Sequence, residues 1–101
     1  MTSKVTISVI IPTYNEEENI KGVIPLISKF GGDKISEVLV VDGGSTDKTV
    51  QIAKSLGAKV ILTKKASRAH QLNIGAQNAK SDIYYFLHAD IQPVPEFSKI
   101  Y

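Results

Sequence analysis

The residues of this sequence that are best suited to bind a metal ion or a phosphate lie near its end, where an apolar run from 83 to 87 stops at His88-Ala89-Asp90. Because side chains alternate along an extended chain, His88 and Asp90 are expected on the same side. A carboxylate suits Mg²⁺ or Mn²⁺, and such ions are commonly shared between one or two carboxylates and substrate phosphates. Taken alone, the pair is better explained as a strand end followed by a turn before Pro93.

A second polar cluster, Pro12-Thr13-Tyr14-Asn15-Glu16, follows the β-branched run from 7 to 11. The interpretation that needs no ligand is that Thr13 or Asn15 caps a helix that begins here. The functional alternative is that Tyr14 flanks a nucleobase held by neighbouring backbone groups. The residue types favour capping for Asn15 and leave both roles open for Tyr14.

A third cluster, Asp42-Gly43-Gly44-Ser45-Thr46-Asp47, follows the apolar run from 37 to 41. Asp42 could accept hydrogen bonds from a base and a ribose, and the glycines allow a ligand to approach the backbone closely. A strand-to-helix turn in which Ser45 or Thr46 caps the helix explains the same residues. The spacing matches neither the dinucleotide fingerprint GxGxxG nor the phosphate loop GxxxxGK[ST].

A basic residue, Arg68, is expected in the first turn of a later helix, with Ser67 as the cap and His70 close by. A helix N-terminus that carries an arginine is a reasonable anion site. The plainer alternative is a solvated first turn.

Alternating strand and helix patterns must position these clusters. The predicted strands are 7–11, 37–41, 59–62 and 83–87, and the predicted helices are 16–30, a second that ends near 56, and 68–79. Pro25 is expected to kink or restart the first helix. The alternation favours an α/β fold, a three-layer Rossmann-like arrangement with a parallel sheet of order 3-2-1-4. The polar clusters would then meet at one sheet edge, and the fourth strand would be an exposed edge strand.

The composition limits the function classes. One hundred and one residues form one small domain, and a formal net charge of +2 gives no field that argues for nucleic acid. The absence of cysteine excludes disulfides and thiolate metal sites. No apolar run reaches the ~20 residues of a membrane span. With no secretory signal pattern at residues 1–4, a cytoplasmic protein without an integral membrane segment is expected.

Four segments, in this order and at this spacing, resemble the donor-binding half of a family 2 glycosyltransferase. They are Ser8 to Glu16 (SVIIPTYNE), Val40 to Asp47 (VVDGGSTD), Arg68 to Ala76 (RAHQLNIGA) and Phe86 to Asp90 (FLHAD). The variants DGGS and LHAD look closest to a bacterial and archaeal subgroup of largely unassigned substrate. The opening PTYNEEENI also resembles dolichol-phosphate mannose synthases.

The resemblance implies a GT-A fold, a nucleotide-diphosphate-sugar donor and a divalent cation, Mn²⁺ or Mg²⁺. The residues that it places in nucleotide binding are Pro12, Thr13, Tyr14, Glu16, Asp42, Gly43, Ser45 and Arg68. It also implies that Asp90 binds the metal that stabilises the leaving diphosphate, with His88 as a second candidate ligand.

Two positions depart from the family pattern. Gly43 stands where a second aspartate often contacts the base, which leaves the nucleotide open. His88 stands where an Asp-x-Asp motif has its first aspartate, so metal binding is assigned mainly to Asp90.

The leading interpretation is the nucleotide-sugar-binding part of an inverting glycosyltransferase that transfers a sugar to a hydroxyl or a lipid phosphate. Residues 1–101 would then be a single partial domain without the acceptor half and its general base, and we expect negligible turnover by this chain alone. A longer form could lie at the membrane surface. One alternative is a non-catalytic module that binds a nucleotide or associates with itself. In the latter case a homo-oligomer would form through the exposed fourth strand. A sugar nucleotidyltransferase would need a glycine-rich basic loop that residues 12–16 do not provide.

Overall fold

The computed structural model describes residues 5–89, apart from the side chain of Phe30. A single sheet is built from four parallel strands in the order β3-β2-β1-β4, which confirms the predicted topology. In chain order the elements are β1 (Ile7–Thr13), α1 (Glu17–Gly31), a 3-10 turn (Gly32–Lys34), β2 (Ile35–Asp42), α2 (Thr49–Ser55), β3 (Lys59–Leu62), α3 (Arg68–Asn78) and β4 (Ile83–Phe86).

The central strand β1 is buried along its whole length. Its odd-numbered residues, such as Val9 and Ile11, pack with the apolar stripe of α1, and Ile10 on the opposite face packs with β2 and the inward side of α3. A continuous β-branched run is what a strand covered on both faces requires. The helices therefore form two layers, with α1 and α2 on one face of the sheet and α3 on the other.

Two prolines lie inside elements of the structure: the first strand, predicted to end at residue 11, continues through Pro12, and the first helix does not restart at Pro25. β1 runs through Pro12 to Thr13, because pairing with β4 stops at Ile10 and the N–H that Pro12 lacks would point toward that side. α1 runs through Pro25 without a break. Pro25 and Lys21, whose carbonyl loses its donor, are both exposed, so solvent can satisfy that carbonyl.

Close packing places α3 directly against β1 and β2. A Cβ on Gly75 would lie 2.4 Å from Ile10 Cγ2 and 3.2 Å from Val41 Cγ2, so the helix backbone rests directly on the sheet. α3 is thereby held against the two central strands, β1 and β2.

β4 is one of the two edge strands of the described sheet, and its Tyr84 and Phe86 are 42% and 49% exposed. Its pairing with a second copy stays a prediction. Within residues 5–89, no helix has the length and apolar character needed to cross a bilayer.

Candidate functional site

The carboxyl ends of three strands are joined by backbone hydrogen bonds. Thr13 and Asp42 are register partners at the ends of β1 and β2. The Gly43 N–H donates to the Thr13 carbonyl at 2.9 Å, and the Thr63 N–H after β3 donates to the Asp42 carbonyl at 2.8 Å. The clusters at 12–16 and 42–47 are therefore neighbours, as the parallel sheet predicts.

Asp42 is the centre of a buried hydrogen-bond network. It is 1% exposed. Its Oδ1 accepts from Thr13 Oγ1 at 2.7 Å and Ser45 Oγ at 2.5 Å, and its Oδ2 accepts from the N–H groups of Gly44 at 3.0 Å and Ser45 at 2.7 Å. These four bonds use the acceptor sites of the carboxylate. A ligand that touched Asp42 would have to displace one of them.

Asn15 fastens the neighbouring loop instead of capping its own helix. It has a positive φ of 53°, and its Oδ1 accepts from the N–H groups of Thr46 at 2.8 Å and Asp47 at 3.3 Å. Its own N–H donates to Ser45 Oγ at 2.7 Å. Neither α1 nor α2 has a side-chain cap at its N-cap residue, so the capping predictions for Thr13, Asn15, Ser45 and Thr46 are wrong.

The first turns of α1 and α2 are instead tied together by Asp47 and Thr49. The Glu16 N–H donates to Thr49 Oγ1 at 2.8 Å, and the Glu17 N–H donates to Asp47 Oδ2 at 3.3 Å. Asp47 Oδ1 accepts from the N–H of Thr49 at 2.9 Å and from its hydroxyl. Burial by itself raises the pKa of Asp47, but the bonds from Thr49 and Glu17 outweigh it and hold this pKa below its ordinary value.

A residue that the sequence interpretation missed, Gln71, bridges the two central strands. It is 3% exposed, and its Nε2 donates to the carbonyls of Thr13 at 2.9 Å and Val41 at 2.7 Å. The available signal was its place on the inward face of the predicted helix, one turn before Gly75. A polar side chain there must find partners in the sheet below.

A cavity of about 250 Å³ opens beside this network. Its lining residues are Pro12, Thr13, Tyr14, Glu16, Ala66, Arg68 and Gln71. Five of the eight predicted nucleotide-binding residues thus share one cavity, while Asp42, Gly43 and Ser45 form the adjoining loop. Gly43 has a packing reason to be glycine, because a Cβ there would lie 2.7 Å from Ala66 Cα.

The cavity combines opposite charges in a way that suits a nucleotide. α1 and α3 both begin at this edge, and Arg68 is the first residue of α3. Ser67, the predicted cap of α3, makes no side-chain cap hydrogen bond. Helix N-termini and a guanidinium attract phosphate, whereas Glu16 offers acceptors for hydroxyl groups.

The predicted metal residues lie partly outside the described region. His88 is partly buried, and its Nδ1 is buried without a hydrogen-bond partner among the described residues. An unpartnered ring nitrogen fits a ligand of Mn²⁺ or a donor to phosphate. Asp90 falls outside residues 5–89, and within that range no three acidic, histidine or cysteine side chains form a metal-binding group.

A family model and the sequence of a known relative both match this chain. Residues 8–100 match the model of glycosyl transferase family 2. A dolichol-phosphate mannosyltransferase of Pyrococcus furiosus is 34% identical over 95 residues, which cover 89% of this chain and 27% of that protein.

Solved structures share the fold. Glucosyl-3-phosphoglycerate synthase of Mycobacterium tuberculosis, crystallised with Mn²⁺, UDP and glucosyl-3-phosphoglycerate, superposes with a TM-score of 0.74 at 33% identity, over 90% of this chain and 36% of that one. S. aureus TarS 1-349 superposes with a TM-score of 0.84 at 30% identity, over 94% and 30%. The chain therefore spans about a third of the length of these matched chains.

Proposed function

The chain belongs to glycosyl transferase family 2, and from that premise we propose that it binds a nucleoside-diphosphate sugar as the donor part of an inverting glycosyltransferase. The observation that carries the proposal is the cavity at the carboxyl edge, where Arg68 and the N-terminus of α3 face Tyr14 and Glu16. The synthase structure that contains UDP and Mn²⁺ supports the same ligand class.

The proposed roles follow from the position of each group. Arg68 binds the diphosphate, because a guanidinium pairs with phosphate oxygens through two N–H groups. Glu16 accepts hydrogen bonds from the ribose, and the exposed ring of Tyr14 flanks the base. Asp42 and Ser45 act as positioning residues that hold the loop of Gly43 in shape.

A divalent cation, Mn²⁺ or Mg²⁺, would be held by Asp90 with His88 as a second ligand. Bound there, it would supply the positive charge that stabilises the leaving nucleoside diphosphate. Among the described residues, His88 supports this role, because its buried Nδ1 has no hydrogen-bond partner there.

The proposed reaction is attack by an acceptor oxygen, from a hydroxyl or a lipid phosphate, on the anomeric carbon. The bond from that carbon to the diphosphate oxygen breaks, and the configuration inverts. No described residue is assigned as the general base that takes the acceptor proton.

The test is calorimetry of the full chain with UDP-, GDP- and dTDP-sugars, with and without Mn²⁺. We expect one of the three to bind with an affinity that rises with Mn²⁺, and Asp90→Ala to remove that rise. Glu18→Ala, which changes an exposed carboxylate paired with Lys21, is the matched control and should behave like the unaltered chain. A folded chain that binds no nucleotide at millimolar concentration contradicts the proposal.

A second candidate function is self-association through β4, which the exposed Tyr84 and Phe86 on this outer strand favour. Light scattering after gel filtration tests it, with Tyr84→Lys as the disrupting variant. A monomer at all concentrations rules out this function and leaves the nucleotide proposal intact.

A further inference from the structure

The side-chain amide of Gln71 has only one orientation that its surroundings permit. Both hydrogens of Nε2 are used, on the carbonyls of Thr13 and Val41. Because both partners are acceptors, the reversed amide would place its oxygen against two carbonyl oxygens. The position of Oε1 is therefore determined by the ends of the two central strands.

This oxygen lies where the cavity meets the glycine loop. Gln71 lines the cavity together with Ala66, and a Cβ added to Gly43 would lie 3.0 Å from Oε1 and 2.7 Å from Ala66 Cα. Both hydrogen bonds that Gln71 makes within residues 5–89 run through Nε2, so Oε1 receives no donor there. An acceptor beside the cavity that no protein donor satisfies is available to a ligand or to water.

The neighbouring acceptor is already satisfied. Asp42 receives two hydrogen bonds on each carboxylate oxygen, all from the protein itself. Of Asp42 and Gln71, only Gln71 thus has a side-chain acceptor that no protein donor in the described residues uses.

We propose that Gln71 determines base specificity, with Oε1 accepting a hydrogen bond from the ring N–H of the donor nucleobase. This inference rests on the proposed binding of a nucleoside diphosphate. It restricts the donor to bases with a ring N–H on the pairing edge, namely uracil, thymine or guanine. Loss of that N–H leaves the acceptor unpaired, so affinity should fall roughly tenfold or more.

The experiment compares a nucleotide with its ring N-methyl analogue by calorimetry on the full chain. The pair is UDP with 3-methyl-UDP, or GDP with 1-methyl-GDP if GDP binds more tightly. The unaltered chain should bind the parent roughly tenfold or more tightly than the analogue. In Gln71→Met, which has a similar length but no strong acceptor, the two ligands should bind within about threefold of each other.

Two further variants separate this role from a structural one. Gln77→Met makes the same substitution on the exposed side of α3 and should leave both affinities unchanged. Asp42→Asn should keep the preference for the parent nucleotide even if both ligands bind less tightly. A preference that survives in Gln71→Met and disappears in Asp42→Asn overturns the proposal and makes Asp42 the base-reading residue.

Nuclear magnetic resonance gives a readout that needs no variant. The side-chain amide signals of Gln71 in the unaltered chain should shift with the parent nucleotide and clearly less with the N-methyl analogue. Equal affinity of the unaltered chain for both ligands also overturns the inference, whereas failure of every nucleotide to bind would overturn the proposed function itself.

Discussion

Two cavities of nearly equal size lie at opposite ends of the sheet. The donor cavity, at the carboxyl edge, has about 250 Å³, and the amino-edge cavity has about 220 Å³. The amino-edge cavity is lined by Ser28 and Gly32 at the end of α1, Gly57 after α2, and Glu37 of β2. Helix C-termini repel phosphate, whereas helix N-termini and Arg68 attract it. Volume does not separate the two cavities, but the direction of the helices does.

Each edge also has a carboxylate at the centre of a hydrogen-bond network. At the amino edge, Glu37 Oε2 accepts from Ser8 Oγ at 2.5 Å and the Lys80 N–H at 2.8 Å, and its Oε1 accepts from Lys59 Nζ at 3.4 Å. Glu37 thus joins β1, β2, β3 and the chain before β4. Both networks fasten distant segments, but only the one around Asp42 adjoins a cavity with a cation.

The largest expected effect is on the network around Asp42. Asp42→Ala removes a buried carboxylate and leaves Thr13, Ser45 and the Gly44 N–H without their acceptor, so the free energy of unfolding should fall by about 3 kcal/mol. Urea denaturation measures the change. Asp82→Ala, which removes an exposed carboxylate at the amino edge, should cost less than about 1 kcal/mol. Equal losses of the free energy of unfolding in the two variants would show that the carboxylates at the two edges contribute equally to stability.

Arg68→Ala tests the electrostatic difference between the cavities. Nucleotide affinity should fall about thirtyfold, close to 2 kcal/mol, because a charge-assisted contact to phosphate is lost. The free energy of unfolding should change by less than about 0.5 kcal/mol, since Arg68 is exposed. The control is Lys80→Ala near the amino edge, and an equal loss of affinity there would contradict the assignment.

The loss of stability at acid pH should depend in part on the protonation of Glu37. Burial by itself raises the pKa of Glu37, but the bonds from Ser8, the Lys80 N–H and Lys59 outweigh it and hold this pKa below its ordinary value of 4.5. A lowered folded-state pKa adds stability above pH 4.5 that is lost as the pH falls through the folded-state value. Glu37→Gln should therefore lose less stability than the unaltered chain between about pH 6 and about pH 3.

Nucleotide affinity at neutral pH should not respond to Glu37→Gln. The pKa of Asp47 is also lowered, so part of the acid sensitivity of stability should remain in the Glu37→Gln variant. An unchanged acid sensitivity would mean that the network around Glu37 adds nothing to stability.

The smallest expected effect is at Tyr14, which is 48% exposed beside the donor cavity. Tyr14→Ala should weaken nucleotide binding about fivefold through the loss of ring stacking, and Tyr14→Phe should leave it unchanged. Calorimetry measures both. A loss in Tyr14→Phe equal to that in Tyr14→Ala would assign the contribution to the hydroxyl.

The strand order and the shared sheet edge could be predicted because β-branched runs alternated with helical stripes. Side-chain direction could not be predicted in the loops. The positive φ of Asn15 turns its amide toward Thr46 and Asp47, and no pattern of residue types reveals that angle. Gln71 was missed for a related reason, since its partners are backbone carbonyls that have no sequence signature.

The central claim is that a nucleoside diphosphate binds at the carboxyl edge and not at the amino edge. Titrating the ¹⁵N-labelled full chain with UDP and Mg²⁺ while recording backbone amide spectra tests it most directly. We expect shifts at Thr13, Tyr14 and Arg68, with Ser28, Glu37 and Gly57 unaffected. Shifts confined to Ser28, Glu37 and Gly57 would contradict it.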